Sequence, residues 1–371
     1  MRAIDQSLPH LTAMVTEWAN INSYSSNTCG LELMKSKLLD AFSSLKATVT
    51  EIDGVILLEK RSHLDKVILL GGHYDTVYPK DSDFQKAVQL SETHLNGPGV
   101  ADMKGGLLVL LKAVEAFESV PISSNIGWKI YLNPDEEIGS PRSMPIIQDF
   151  SKGCSLALIY EPVMPDGKFV GERKGSANYH ISIKGKEAHA GRDFFAGKSA
   201  IYPIATLIHH LESMVSKDTT INVGTLHGGT ATCTVPGSAS CTVNVRSNDS
   251  PMMQEIDSQL QLLKENIEQE YEVVVTVSNQ SYRPPKPLSD ETQLLMQQVQ
   301  QCGTSLGLAV DFGPTGGVCD GNNIQSFGIP TVDTMGVIGG HIHTHEEFLY
   351  LPSLTEKIKL SASVLLDQAK D

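Results

Sequence analysis

The chain has 371 residues, 40% of them hydrophobic, which is enough apolar material for one large core or two smaller ones. A formal net charge of -14 argues against a nucleic-acid partner, because affinity for a phosphate backbone depends on clustered Lys and Arg displacing counterions. Residues 1–7 hold no apolar run followed by a small-residue cleavage site, and no segment reaches about 18 uninterrupted apolar residues, so the expectation is a cytoplasmic protein without a membrane span.

Residues 5–20 and 31–45 carry apolar side chains at helical spacing. Ala47-Thr48-Val49-Thr50-Glu51 and Val55-Ile56-Leu57-Leu58-Glu59 read as strands around the Asp53-Gly54 turn, a hairpin at a sheet edge. Compact apolar runs then alternate with helical stretches: Val67-Ile68-Leu69-Leu70, a helix over 105–118, Trp128-Lys129-Ile130-Tyr131-Leu132, a short helix over 143–150, and Leu156-Ala157-Leu158-Ile159-Tyr160. Strands apolar on both faces and separated by helices predict a mostly parallel α/β sheet.

The pattern changes near Arg173-Lys174-Gly175. From there the order is strand (178–184), helix (199–215), strand (220–226), strand (239–247), helix (252–269) and strand (271–278), a repeated split β-α-β unit of ferredoxin-like α+β type. The proline-rich Ser281-Tyr282-Arg283-Pro284-Pro285-Lys286-Pro287 reads as a hinge, after which a helix over 290–306 and Ile329-Pro330-Thr331-Val332-Asp333 return to α/β character. The expectation is a discontinuous catalytic domain over 1–174 and 284–371, interrupted by a domain over 175–283.

The acidic and histidine residues fall where such a sheet would gather them. His73 and Asp75 follow the run that begins at Val67, Asp135-Glu136-Glu137 follows the run ending at Leu132, and Glu161 follows Tyr160. In an open parallel sheet these carboxyl ends converge on one crevice, where ligands bind. A lone His-x-Asp is as a rule structural, but several acids packed together would repel one another unless a cation held them. Gly97-Pro98-Gly99-Val100-Ala101-Asp102-Met103-Lys104-Gly105-Gly106 adds a carboxylate at a helix start, and it lacks the Gly-Lys-Ser/Thr ending of a phosphate loop. Near the C-terminus, His341, His343 and His345 alternate before Glu346-Glu347. The six cysteines, Cys29, Cys154, Cys233, Cys241, Cys302 and Cys319, are scattered without a Cys-x-x-Cys pair and read as free thiols.

His73-Tyr74-Asp75, the segment 99–106, Asp135-Glu136-Glu137-Ile138-Gly139, Glu161-Pro162 and His343-Thr344-His345-Glu346-Glu347-Phe348, in that order, resemble the motifs of the zinc peptidase and amidohydrolase family that includes glutamate carboxypeptidase, acetylornithine deacetylase, succinyl-diaminopimelate desuccinylase and aminoacylase. The resemblance implies two Zn²⁺ per subunit, with Co²⁺ or Mn²⁺ compatible with the same ligand types. Asp102 would bridge the two ions, His73 and Glu161 would complete one site, and Glu137 and His343 the other. Three carboxylates and a bridging hydroxide would balance the charge of both ions. Glu136 resembles the family's general base, acting on the metal-bridging water. Asp75, two residues beyond His73, should accept from the second imidazole nitrogen and fix its tautomer.

The insert carries family marks as well: Gly185-Lys186-Glu187-Ala188-His189-Ala190-Gly191, then Gly228-Gly229 and Val235-Pro236-Gly237. The resemblance implies that His189 stabilises the oxyanion, in dimers at the neighbouring subunit's site, and that the insert is a lid that closes and pairs two subunits into a homodimer. It also implies that Arg283 grips a substrate carboxylate and that Gly316 and Gly317 line the substrate pocket. Cys233 departs from the pattern, since the family has an asparagine there, which removes an amide donor. The implied substrate is a small peptide or an N-acyl amino acid, cut in the manner of a glutamate carboxypeptidase. An N-acyl-amino-acid deacylase is the alternative, and a non-catalytic ligand-binding protein on the same fold would predict a lost ligand or base.

Overall fold

The structure, a computed structural model, describes residues 7–370, so residues 5 and 6 of the first expected helix lie outside it. The chain forms two compact units: one of residues up to Glu172, Leu288–Thr315 and the chain from Cys319 on, the other of Arg173–Pro287 with Gly316–Val318. Gly316 and Gly317 thus group with the inserted segment.

In the first unit, helices Leu8–Ala19 and Thr28–Phe42 precede a six-stranded sheet. Its order is Thr48–Ile52, Val55–Lys60, Gly127–Asn133, Val67–His73, Leu156–Ile159 and Thr331–Val332. Val67–His73 pairs in parallel with Gly127–Asn133 on one side and Leu156–Ile159 on the other, and Leu156–Ile159 in parallel with Thr331–Val332, whereas the hairpin Thr48–Ile52/Val55–Lys60 pairs antiparallel. The sheet is therefore mixed, parallel over its larger part and antiparallel at the edge hairpin, where a two-residue turn at Asp53-Gly54 leaves no length for a crossover helix. Asp53 adopts φ 50° and Gly54 φ 86°, both positive as this hairpin turn requires.

Alternation along each strand decides which layer a side chain joins. Ile68 and Leu70 pack with Leu107, Leu110, Leu354 and Leu365 under helices Gly105–Glu118 and Pro352–Gln368. Leu69, Tyr131, Ala157 and Ile159 pack on the opposite face with Ile147 and Ile324, from helices Ser143–Phe150 and Asp320–Ser326. With both faces covered, every residue of Val67–His73 is buried.

The second unit is a four-stranded antiparallel sheet, in the order Thr219–Gly228, Ser238–Ser247, Gly175–Lys184 and Val274–Arg283. Helices Ile201–Ser213 and Ser250–Tyr271 cover one face, with Ile181, Ile204, Leu207, Val243, Ile256 and Leu260 in a core of its own. The last helix runs beyond the expected 269, because Glu272 takes a left-handed φ of 52° at its end. The last strand consequently starts at Val274 and extends through Arg283, taking in residues that read as hinge. Among the described residues, no helix is long and apolar enough to cross a membrane.

Gly106 marks the tightest helix-to-sheet approach, since a Cβ there would stand 1.9 Å from the carbonyl oxygen of Tyr160. A Gly106→Ala substitution gains about 1 kcal/mol of helix propensity. The backbone oxygen cannot swing aside, so overpacking should outweigh that gain and leave a net loss of about 1–3 kcal/mol, read as a lower urea midpoint.

Candidate metal centre

The side chains singled out in the first unit's sequence meet at the carboxyl end of its sheet. His73 closes strand Val67–His73, Glu136 and Glu137 open a short helical turn after Gly127–Asn133, and Glu161 follows Leu156–Ile159. Asp102 sits in the turn leading into helix Gly105–Glu118, and His343 in the loop between Gly339–Gly340 and Phe348–Tyr350. Gly99 holds φ 72° at the start of the Asp102 turn, where a Cβ would come within 2.7 Å of Thr76.

Asp102 stands between two groups. Its Oδ1 lies 3.1 Å from His73 Nε2, which is 3.8 Å from Glu161 Oε1. Its Oδ2 lies 3.4 Å from His343 Nε2, which is also 3.4 Å from Glu137 Oε2. One ligand atom each from His73, Asp102 and Glu137 can be enclosed within 4.8 Å. Of the three alternating histidines only His343, held at φ 65°, joins this cluster. His345 stacks on Phe84 and lies 3.2 Å from Ser82 Oγ, while His341 lies against Phe348.

The electrostatics are those of a cluster that lacks positive charge. Burial, reinforced by the charge of Asp102, raises Glu137 to about 8, and burial raises Glu161 to about 7. Burial opposes charge on Asp102 too, yet contacts from His343 and His73 hold its carboxyl well below the usual range. Hydrogen bonds to Asp102 and Glu137 push His343 up to about 11, and Glu161, Asp102 and Asp75 carry His73 well above the ordinary imidazole value against its burial. Protons here sit where cations would. Two imidazoles and three carboxylates, interleaved at these distances, fit divalent cations of borderline softness.

Asp75 binds this cluster to its scaffold without facing the ligand atoms. Its Oδ1 lies 3.2 Å from His73 Nδ1 and accepts from the Glu136 N–H at 3.1 Å; its Oδ2 accepts from the Glu137 N–H at 3.2 Å. Ser25 Oγ donates to the same Oδ2 at 2.7 Å. Sequence reasoning missed Ser25, which lies in a polar stretch without periodicity; its contact spans 50 positions. It also gave no role to Tyr78 or to the buried Glu347, which stood in the sequence only as one of an acidic pair.

The other candidates lie in the second unit. His189 is exposed, and its Nδ1 accepts from the Gly191 and Arg192 N–H groups at 3.1 and 3.2 Å, so the neutral ring carries its proton on Nε2. Arg283 is buried at the end of strand Val274–Arg283. The carbonyl of Gly317 accepts from Arg173 at 3.1 Å and that of Gly316 from Arg246. Cys233 is exposed, and its carbonyl accepts from the Ala190 N–H, beside His189.

Residues 69–367 match Peptidase family M20/M25/M40. The chain belongs to that family, and it is a hydrolase of the metal-dependent peptidase and deacylase kind. It is similar to carboxypeptidase G2 of a Pseudomonas species, 24% identical over 81% of this chain and 74% of that one. It is also similar to succinyl-diaminopimelate desuccinylase of Nitrosococcus oceani, 26% identical over 90% of this chain and 92% of that one. The crystal structure of aminopeptidase PepT from Bacillus cereus shares the fold, with a TM-score of 0.78 at 20% identity over 98% of this chain and 99% of that one.

Burial favours the protonated forms of Glu137 and Glu161, and the two carboxylates beside His343 favour its protonated ring, so a divalent cation held by these residues would displace protons. Affinity should tighten as pH rises from 6 to 8, with proton release seen by calorimetry in buffers of different ionisation enthalpy. An affinity flat across that range would contradict the ligand set.

Proposed function

We propose that the protein cleaves an amide bond next to a free carboxylate, in the manner of a glutamate carboxypeptidase, with two Zn²⁺ per subunit. In this reading Asp102 is shared by both ions, His73 and Glu161 complete one site, and Glu137 and His343 complete the other. The observation that carries the reading is the position of Asp102 between two imidazole–carboxylate pairs, one carboxylate oxygen toward each. Co²⁺ or Mn²⁺ would suit the same donors. The bound cations would neutralise the acid cluster, acidify water and polarise the substrate carbonyl.

The chain's own groups do the rest. Glu136, whose backbone Asp75 holds, takes the proton of the attacking water and returns it to the leaving amine. His189 presents its Nε2–H to the developing oxyanion, a role supported by the two backbone donors that occupy Nδ1. Arg283 grips the substrate carboxylate, with Gly316 and Gly317 beside the substrate. The second unit serves as a closing lid and as a homodimer contact, supported by the edge position of its strands Thr219–Gly228 and Val274–Arg283 in the sheet. A cytoplasmic location accords with the six free thiols. The match to a desuccinylase over nearly the full length of both chains favours a second reading, in which an N-acyl amino acid is deacylated.

Hydrolysis of a panel of dipeptides, acyl-glutamates and N-acyl amino acids by Zn²⁺-loaded protein separates the two readings. Glu136→Gln should keep wild-type cation affinity and lose about 10²–10⁴-fold in kcat; equal turnover by the two proteins would remove Glu136 as the base. His189→Ala should lose about 10²–10³-fold in kcat with little change in KM.

A further inference from the structure

We infer that Glu347 is a positioning residue that sets Asp102 and His343 relative to one another. The inference rests on the proposed sharing of Asp102 between cations. Glu347 is fully buried and lies four residues beyond His343, yet its side chain serves the Asp102 turn, which is some 245 positions away in sequence. Oε1 accepts from the N–H groups of Ala101 at 2.9 Å and Asp102 at 3.0 Å; Oε2 accepts from the Gly99 N–H at 2.8 Å and from Tyr78 Oη at 2.6 Å. Both carboxylate oxygens are thus filled by donors.

The backbone carbonyl of Glu347 works on the same segment, accepting from Asn96 Nδ2 at 2.8 Å and from the Gly97 N–H at 3.2 Å. Residues 96–102 are therefore wrapped around one residue. Three N–H groups converging on a carboxylate form an anion-binding concavity, and here the anion comes from the loop that carries His343. Tyr78 fastens the arrangement from a third segment, since its hydroxyl lies 3.0 Å from the Thr344 carbonyl as well as against Glu347. That hydroxyl has one proton, and Glu347 Oε2 is the nearer of its two acceptors.

A carboxylate is the only side chain that suits the position, because all four groups facing it are donors. Glu347→Gln keeps the shape but turns an NH₂ group toward two of them. The Asp102 turn then loses two of its anchors while His343 keeps its own backbone, so the two ligands drift apart.

The test is calorimetric titration of metal-stripped wild type, Glu347→Gln and Tyr78→Phe with Zn²⁺, alongside far-UV circular dichroism and steady-state kinetics. Glu347→Gln should bind at least one Zn²⁺ about 10- to 100-fold more weakly, with kcat lowered, KM nearly unchanged and turnover recovering at high Zn²⁺. Tyr78→Phe should shift the same quantities in the same direction by less, and it decides the matter should Glu347→Gln not fold. Wild-type Zn²⁺ affinity in both variants, even with a lowered melting temperature, would reduce Glu347 to a structural residue and overturn the inference. A wild-type protein that binds no Zn²⁺ would instead overturn the shared-carboxylate reading on which it rests.

Discussion

The crowding of acids at the carboxyl end of the central sheet is the constraint on which the rest of this structure depends. Asp102, Glu136, Glu137 and Glu161 are gathered beside His73 and His343, and burial opposes the ionisation of Asp102, Glu137 and Glu161. Such a group persists only if the surrounding chain pins each member and a positive charge balances the whole. The neighbouring carboxylates raise both imidazoles above their ordinary value, as expected of a site that attracts positive charge.

The pinning is distributed over segments far apart in the chain. Strands buried on both faces fix where their last residues emerge, which brings His73, Glu136, Glu137 and Glu161 to one end of the sheet without further design. Asp75 then orients three neighbours at once, through His73 Nδ1 and the N–H groups of Glu136 and Glu137, and Ser25 occupies its remaining accepting direction. Below the acid loop, Asp320 accepts from Asn133 Nδ2 at 2.6 Å and from Ser140 Oγ, while Asp135 accepts from Ser143 Oγ. The loop carrying Glu136 and Glu137 is thereby fastened at both ends. A site that must keep like charges close needs this many anchors, because any slack would let the carboxylates separate.

The strand-end acids could be read from the chain because their signal is local, an apolar run followed by a His or carboxylate, whereas His343 was marked out by the motif that resembles the family's. The insert was legible for the same reason, its change of rhythm from buried parallel runs to alternating antiparallel strands showing directly in the spacing. The edge hairpin was visible in Asp53-Gly54, but its antiparallel pairing with Gly127–Asn133, which makes the sheet mixed, depended on which strand it joined. The helix end at Tyr271 was misplaced by two residues because a left-handed Glu272 leaves no compositional mark.

By itself the sequence determined the element types, the order of the motifs and the residue types able to bind a cation, since each of these is set by periodicity or by the chemistry of a single side chain. Only the tertiary structure decided which acid of Glu346-Glu347 turns inward, and that Ser25 and Tyr78 belong to the site at all. Those choices are made by hydrogen bonds between segments 50 to nearly 270 positions apart, and no local pattern records a partner at that distance.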